Sequence, residues 1–353
     1  MSGQQNLAES LAILKEAATS IWPEAQMDLP VQPPETSADP PSPWLYLGYY
    51  ELGKLVLSKE PGMPFPLPPG KTGQDERLET ALTLISHGLS EASLRQRAED
   101  GPEIVGFGDP AAATKGMWSA LLFMLQEGGD FVSDLTAPSG DQIRWFRQQI
   151  LQARRLIARV DPTLDGLMHR LQRQLILAEP GPIAREAGQS FGGATAFFHR
   201  GASILNASRR LTDAAMVELL VHEYAHAELF ALGQEEVLCL NSDDERHPVL
   251  IRSDPRPMHG ILHSLHVVSR VVGVIEKILR QPKETFADGG GSIGAFRDLL
   301  DSQRTLGQSS LATVRKHARL TPLGEAVVEA AAWRLEQSSQ LPPRHASLLP
   351  AEP

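Results

Sequence analysis

The chain has 353 residues, 42% of them hydrophobic and 22% charged, enough apolar material for a large core and, at the usual domain size, about two domains. A net charge of −10 and a pI near 5.6 argue against nucleic acid as a partner, since gripping phosphates needs a basic field. Cys239 is the only cysteine, which excludes an intramolecular disulfide, and no uninterrupted apolar run nears the roughly 20 residues that span a bilayer, so a soluble chain in a reducing cytoplasm with no membrane partner is expected.

Apolar spacing predicts a mainly α fold. Residues 5–22 carry Leu7, Leu11, Leu14 and Ala18 at helical intervals before Pro23, and a proline-dense linker follows over 29–43. The Leu- and Tyr-rich piece 44–58 fits a helix or a strand, and a second proline-rich loop spans 61–69. Helices are predicted over 75–97 and 111–127, the first with Leu78, Leu82, Ile85 and Leu89 inward, the second with Met117, Leu121 and Met124. Another is predicted over 139–160, where Arg147, Arg154, Arg155 and Arg159 read as a solvated face, with a helical partner over 163–177. The isolated His87 and His169 read as structural. Glycines and prolines between 179 and 193 mark a boundary, giving a helical N-terminal region over 1–180, a metal-site domain over 181–338 and a disordered tail over 339–353.

Past that boundary, residues 194–199 and 202–206 flank Arg200-Gly201 and spell a hairpin or one bent strand. Its edge would either accept an extended peptide through backbone hydrogen bonds or serve as cover. Residues 213–232 form an unbroken helical run, with Thr212 as N-cap and Gly233 as stop. Inside it lies His222-Glu223-Tyr224-Ala225-His226, an H-E-x-x-H pattern. Residues four apart on a helix sit one above the other, so both imidazoles can reach one metal ion, with Glu223 flanking them. Residues 234–256 are charged and aperiodic, a long irregular connection of the kind that often carries function.

Pro257 opens a second helix, predicted to run to about residue 279, on which His259, His263, His266 and Arg270 share one narrow stripe. Such a polar seam implies a ligand. The glycines of 288–292 make a turn but no phosphate loop, because the Lys-Ser/Thr pair is missing. Helices over 293–306 and 309–320, and a last one over 321–336, complete the chain.

Two imidazoles in an apolar setting suit Zn or Fe, and the third ligand decides the chemistry. The extended metzincin pattern fails, since Leu229 and Leu232 stand where Gly and His are needed. Glu276 lies roughly 100° off the histidine stripe. His263, mid-stripe, is the simplest third ligand, while Asp243, Asp244 and Asp254 would instead make a two-His-one-carboxylate site.

Three pieces in order, His222-Glu223-Tyr224-Ala225-His226, Arg252-Ser253-Asp254-Pro255-Arg256-Pro257 and Gly260-Ile261-Leu262-His263, resemble the H-E-x-x-H-type 2-oxoglutarate-dependent peptide β-hydroxylases that act on ribosomally made, modified peptides. The resemblance covers roughly residues 192–336, including Leu320-Thr321-Pro322-Leu323-Gly324, and does not reach the N-terminal half. It implies Fe(II) held by His222, His226 and His263, and 2-oxoglutarate whose far carboxylate is gripped by Arg252 or Arg256. Glu223 is the remaining site residue, and a peptide is the substrate, hydroxylated at a β-carbon. Where aromatic residues are expected ahead of the arginine run, this chain has Pro248-Val249-Leu250-Ile251. Two other functions fit the helix: a zinc metallopeptidase with Glu223 as general base, and a non-catalytic peptide-binding protein.

Overall fold

The structure, a computed structural model, describes residues 3–21, 42–58, 74–94, 102–127, 131–233, 236–250, 252–282 and 293–338. The proline-rich stretches up to residue 41 and over 61–69, the glycine turn 288–292 and the tail from 339 lie outside the described residues. In chain order the elements are α1 (Gly3–Ile21), α2 (Pro43–Leu57), α3 (Gln74–Leu94), β1 (Glu103–Gly106), α4 (Lys115–Glu127), β2 (Leu135–Thr136), α5 (Gly140–Val160) and α6 (Pro162–Leu171). Next come β3 (Gln174–Pro180), α7 (Pro182–Glu186), β4 (Gly193–Ala194), a 3-10 turn (Phe197–His199), β5 (Ala202–Asn206) and α8 (Asp213–Leu232). The last are β6 (Arg246–Val249), β7 (Arg252–Pro257), α9 (Met258–Leu279), α10 (Ile293–His317) and α11 (Pro322–Ser338). The protein is mainly helical with a small sheet.

The chain falls into two compact units, Met1–Ile143 with His169–Ser208, and Arg144–Met168 with Arg209–Pro353. These cuts differ from a division at 180/181, because the segment around α6 folds with the later residues and the strands up to β5 with the earlier ones.

The first unit is not all helical. Its sheet runs β1-β3-β5-β4, with β1, β3 and β5 parallel, β4 antiparallel to β5, and β2 antiparallel to the end of β3. The helix expected over 163–177 is therefore a helix only as far as Leu171, and Leu175, Ile176 and Leu177 belong to a strand covered on both faces. A parallel strand buried this way reads as a continuous apolar run, without the alternation that would announce it. Residues 193–206 do form a hairpin of β4 and β5; β5 lies between β3 and β4, and β4 ends the strand order. Piece 44–58 is a helix, and it closes tightly on α3: a Cβ on Gly88 would sit 2.5 Å from the backbone nitrogen of Leu45, and one on Gly48 would sit 2.8 Å from that of Ile85.

In the second unit α9 packs against α8, α10 and α11. It is apolar almost all round, from Met258 through Ile261, Leu265, Val268 and Val272 to Ile278, as a helix enclosed by others must be. By length and composition it also passes as a membrane span, yet 67% of that apolar window is buried within the protein. Part of the connection 234–256 is ordered as a ribbon, β6 antiparallel to β7. On α5, Arg147, Arg155 and Arg159 are exposed as expected, but Arg154 is tucked into an ion pair with Asp165 of α6 at 2.6 Å.

One continuous helix, α10, replaces the two expected over 293–320. Gly307, which falls in the gap between those two expected helices, is a point of close approach: a Cβ there would meet Leu335 Cδ2 at 2.7 Å and Val268 Cγ1 at 3.1 Å. Gly324 is similar. Residues 237–240 run against the start of α11, with Leu240 N–H donating to Arg319 O and Thr321 N–H to Leu238 O, and a Cβ on Gly324 would lie 1.9 Å from Leu238 O.

Candidate functional site

Helix α8 forms where the sequence places it. Thr212 caps it by accepting from Ala215 N–H at 3.2 Å, Asp213 complements the positive end of the helix dipole, and Gly233 ends it through an N–H bond to Leu229 O. Pro257 occupies the N-cap of α9, next to α8 in space.

From these two helices His222, His226 and His263 are brought together. The rings of His222 and His226 meet at 4.8 Å between centroids, and those of His226 and His263 at 4.5 Å. His226 Nδ1 and His263 Nε2 face each other at 2.6 Å, so one ring donates an N–H to the other. Phe230, one turn beyond His226 on α8, lies edge-on to His263 at 5.2 Å. Burial holds His222 down to about 4. His226 is lowered to about 2, first by burial and then by the imidazoles of His263, His222 and His266. His263 falls to about 4 for the same first reason, with smaller effects from His266, His222 and His259. All three are therefore neutral at pH 7. Glu223, between the two α8 histidines in sequence, is buried.

This donor set fits a borderline cation such as Zn or Fe, for which neutral imidazole lone pairs in an apolar surround are suitable ligands. Among the described residues, no group of three His, Cys, Asp or Glu side chains stands close enough to hold an ion without adjustment. An ion taking both facing nitrogens at about 2.0–2.1 Å would open the hydrogen bond between His226 and His263.

The stripe on α9 does not act as one seam. His259 is exposed and pairs with Asp243 at 2.9 Å. His266 and Arg270 turn to Glu228 of α8, a residue the sequence reading passed over. His266 Nε2 lies 2.9 Å from Glu228 Oε2, Arg270 Nε donates to the same oxygen at 2.6 Å, and a second Arg270 nitrogen takes Oε1. Tyr224 Oη donates to Glu228 Oε1 at 2.9 Å. Burial alone would raise Glu228, but the His266 hydrogen bond, the Arg270 charge and the Tyr224 hydroxyl outweigh it and bring it to about 2. His266 is lowered, mainly by burial, against the opposing pull of Glu228. One clue was available: Glu228 and Arg270 are opposite charges set within two largely apolar helical runs, and buried charges pair.

Three of the four other carboxylates weighed as ligands are engaged elsewhere. Asp243 holds His259, Asp254 pairs with Arg256 at 3.1 Å, Glu276 pairs with Arg280 on its own helix, and Asp244 is exposed. Arg256 is half-buried on β7, which leads directly into α9. Arg252 opens β7 opposite Val249, and its side chain lies outside the described residues.

No protein-family model matches the chain, and no curated protein matches it. The functional reading therefore rests on these side chains.

Proposed function

We propose that the chain is an Fe(II)/2-oxoglutarate-dependent oxygenase that hydroxylates a β-carbon of a peptide. The observation carrying this reading is the convergence of three neutral imidazoles, His222, His226 and His263, from two helices, while nearby carboxylates are bound to other partners. A three-nitrogen set leaves coordination positions for a chelating cosubstrate and O2, whereas a gluzincin-type peptidase needs a glutamate from the second helix, and Glu276 pairs with Arg280.

The three histidines would hold the ion, and Fe(II) would supply the redox chemistry coupling O2 and 2-oxoglutarate to oxidation of a substrate C–H bond. Phe230, edge-on to His263, would help to orient that ring. Arg256 would grip the far carboxylate of 2-oxoglutarate with two parallel hydrogen bonds, exchanging the half-exposed Asp254 for it, with Arg252 the other candidate. Glu223 would orient its neighbours from a buried position rather than move a proton.

The test is anaerobic metal analysis followed by assays of succinate formation and of one-oxygen mass gain on candidate peptides. The expected result is dependence on O2, Fe(II) and 2-oxoglutarate, with appreciable activity left in Glu223→Gln. Peptide-bond cleavage without O2, restored by Zn and abolished in Glu223→Gln, a change worth roughly 10²–10⁴-fold for a general base, would establish the peptidase instead.

A further inference from the structure

Within the second unit a cavity of 590 Å³ opens along the later turns of α9, floored by Gly273 and Val274 and edged by α11 and Asp161. That volume is in the range of small-molecule sites. Four cations line it, Arg270, Lys277, Arg280 and Arg334, in a protein whose net charge is −10.

Pairing accounts for three of the four. Lys277 holds Asp161 at 2.5 Å, Arg280 holds Glu276, and Arg270 is committed to Glu228. Arg334 remains. Its only hydrogen bond among the described residues is to a neutral hydroxyl, Ser269 Oγ, at 3.3 Å. Burial and the adjacent Arg270 charge push it down to about 10, so it sits where a guanidinium is ill solvated and repelled. Glu228 offsets part of this from a distance, but its oxygens are bonded to Arg270, so one carboxylate faces two guanidiniums and an incoming anion would balance the second. Beside it Trp333 presents a ring that is 62% exposed on the rim, a face on which a planar body can lie.

We propose that this cavity binds a small organic anion, a carboxylate or phosphate on a planar or aromatic body, with Arg334 gripping the oxyanion, Lys277 adding charge at the mouth and Trp333 covering the ring. The site is separate from the histidines. Arg270 lies seven residues beyond His263, about 10 Å along the helix, and the cavity continues away from there toward Arg280, so an anion held here cannot also chelate an ion at His263. The assignment therefore does not rest on the oxygenase reading.

The full chain, with and without added Fe(II), is titrated with phenyl phosphate, benzoate and inorganic phosphate at constant ionic strength set with chloride, following tryptophan fluorescence and heat of binding. Saturable binding of phenyl phosphate or benzoate is expected, whichever is tighter naming the oxyanion. It should weaken at least tenfold in Arg334→Gln and several-fold in Trp333→Ala, and stay unchanged in Arg315→Gln, on α10 outside the cavity. Should Arg334→Gln not fold, Lys277→Gln at the exposed mouth replaces it, with a several-fold loss expected. Absence of saturable binding by all three probes, or binding unchanged in the folded cavity variants, would overturn the proposal.

Discussion

Replacing Glu228 with Gln keeps the size of the side chain and removes the one carboxylate on which Tyr224, His266 and Arg270 converge. The carboxyl is lowered from its ordinary 4.5 to about 2, and each pH unit of displacement corresponds to 1.36 kcal/mol, so its ionised form stabilises the fold by about 3 kcal/mol at pH 7. Truncating a buried pair also strands its partner, and here it would leave Arg270 and Arg334 side by side without an acid, so the loss should be about 3–5 kcal/mol. The sign with pH follows. Because the folded value lies below the unfolded one, the contribution is complete above about 4.5 and fades as pH falls toward 2, shrinking to about 1 kcal/mol at pH 3. Urea unfolding of both proteins at pH 7 and pH 3 measures it, the difference between them cancelling acid-titrating groups that do not touch Glu228. A Glu228→Gln protein within about 0.5 kcal/mol of the parent at pH 7, or a deficit equal at both pH values, would refute the reasoning.

Other outcomes are specific enough to measure. His226→Ala and His263→Ala should each strip bound metal, whereas His259→Ala, which loses only an exposed contact to Asp243, should leave metal content intact by elemental analysis. Arg256→Ala should weaken 2-oxoglutarate binding on the order of a hundredfold by calorimetry while the metal stays bound; unchanged affinity would move the clamp to Arg252 or beyond. Gly307→Ala should destabilise by about 1–3 kcal/mol, since its Cβ meets Leu335 and Val268, where a helix glycine without such neighbours would gain about 1 kcal/mol from the same change. Gly324→Ala should cost more, because the obstacle is the backbone carbonyl of Leu238, and chemical denaturation orders the two.

How much the sequence disclosed depended on whether the signal was local. Helix α8, from its Thr212 cap to the Gly233 stop, and α9 behind Pro257 follow from periodicity and end chemistry that operate within a few residues. Strands β1 and β3 were not foreseen, because their pairing partners lie about 70 residues apart and β3 is enclosed on both faces. Gly307 shows the same limit from another side. Its place between two expected helices says nothing of Leu335 and Val268, whose close approach a Cβ there would block.

The candidate site follows that division. The spacing of His222 and His226 needs only α8 to be interpreted, and placing His263 beside them needs only that α9 pack on α8. The stripe argument failed further along because it asked what α9 alone would present. His266 and Arg270 share a face with His263, yet their polarity is satisfied by Glu228, which lies about 240° round α8 from His222 and so belongs to a different side of that helix. Two polar clusters consequently lie between the same pair of helices: an uncharged imidazole group that suits a cation, and a guanidinium-carboxylate group that fixes the helices against each other. Arg334 of α11 adds to the second cluster a positive charge it cannot neutralise from within. A seam with donors for a metal at one end and an excess of guanidinium at the other would bind opposite charges at its two ends, and the helix-fixing role of Glu228 is what keeps those ends distinct.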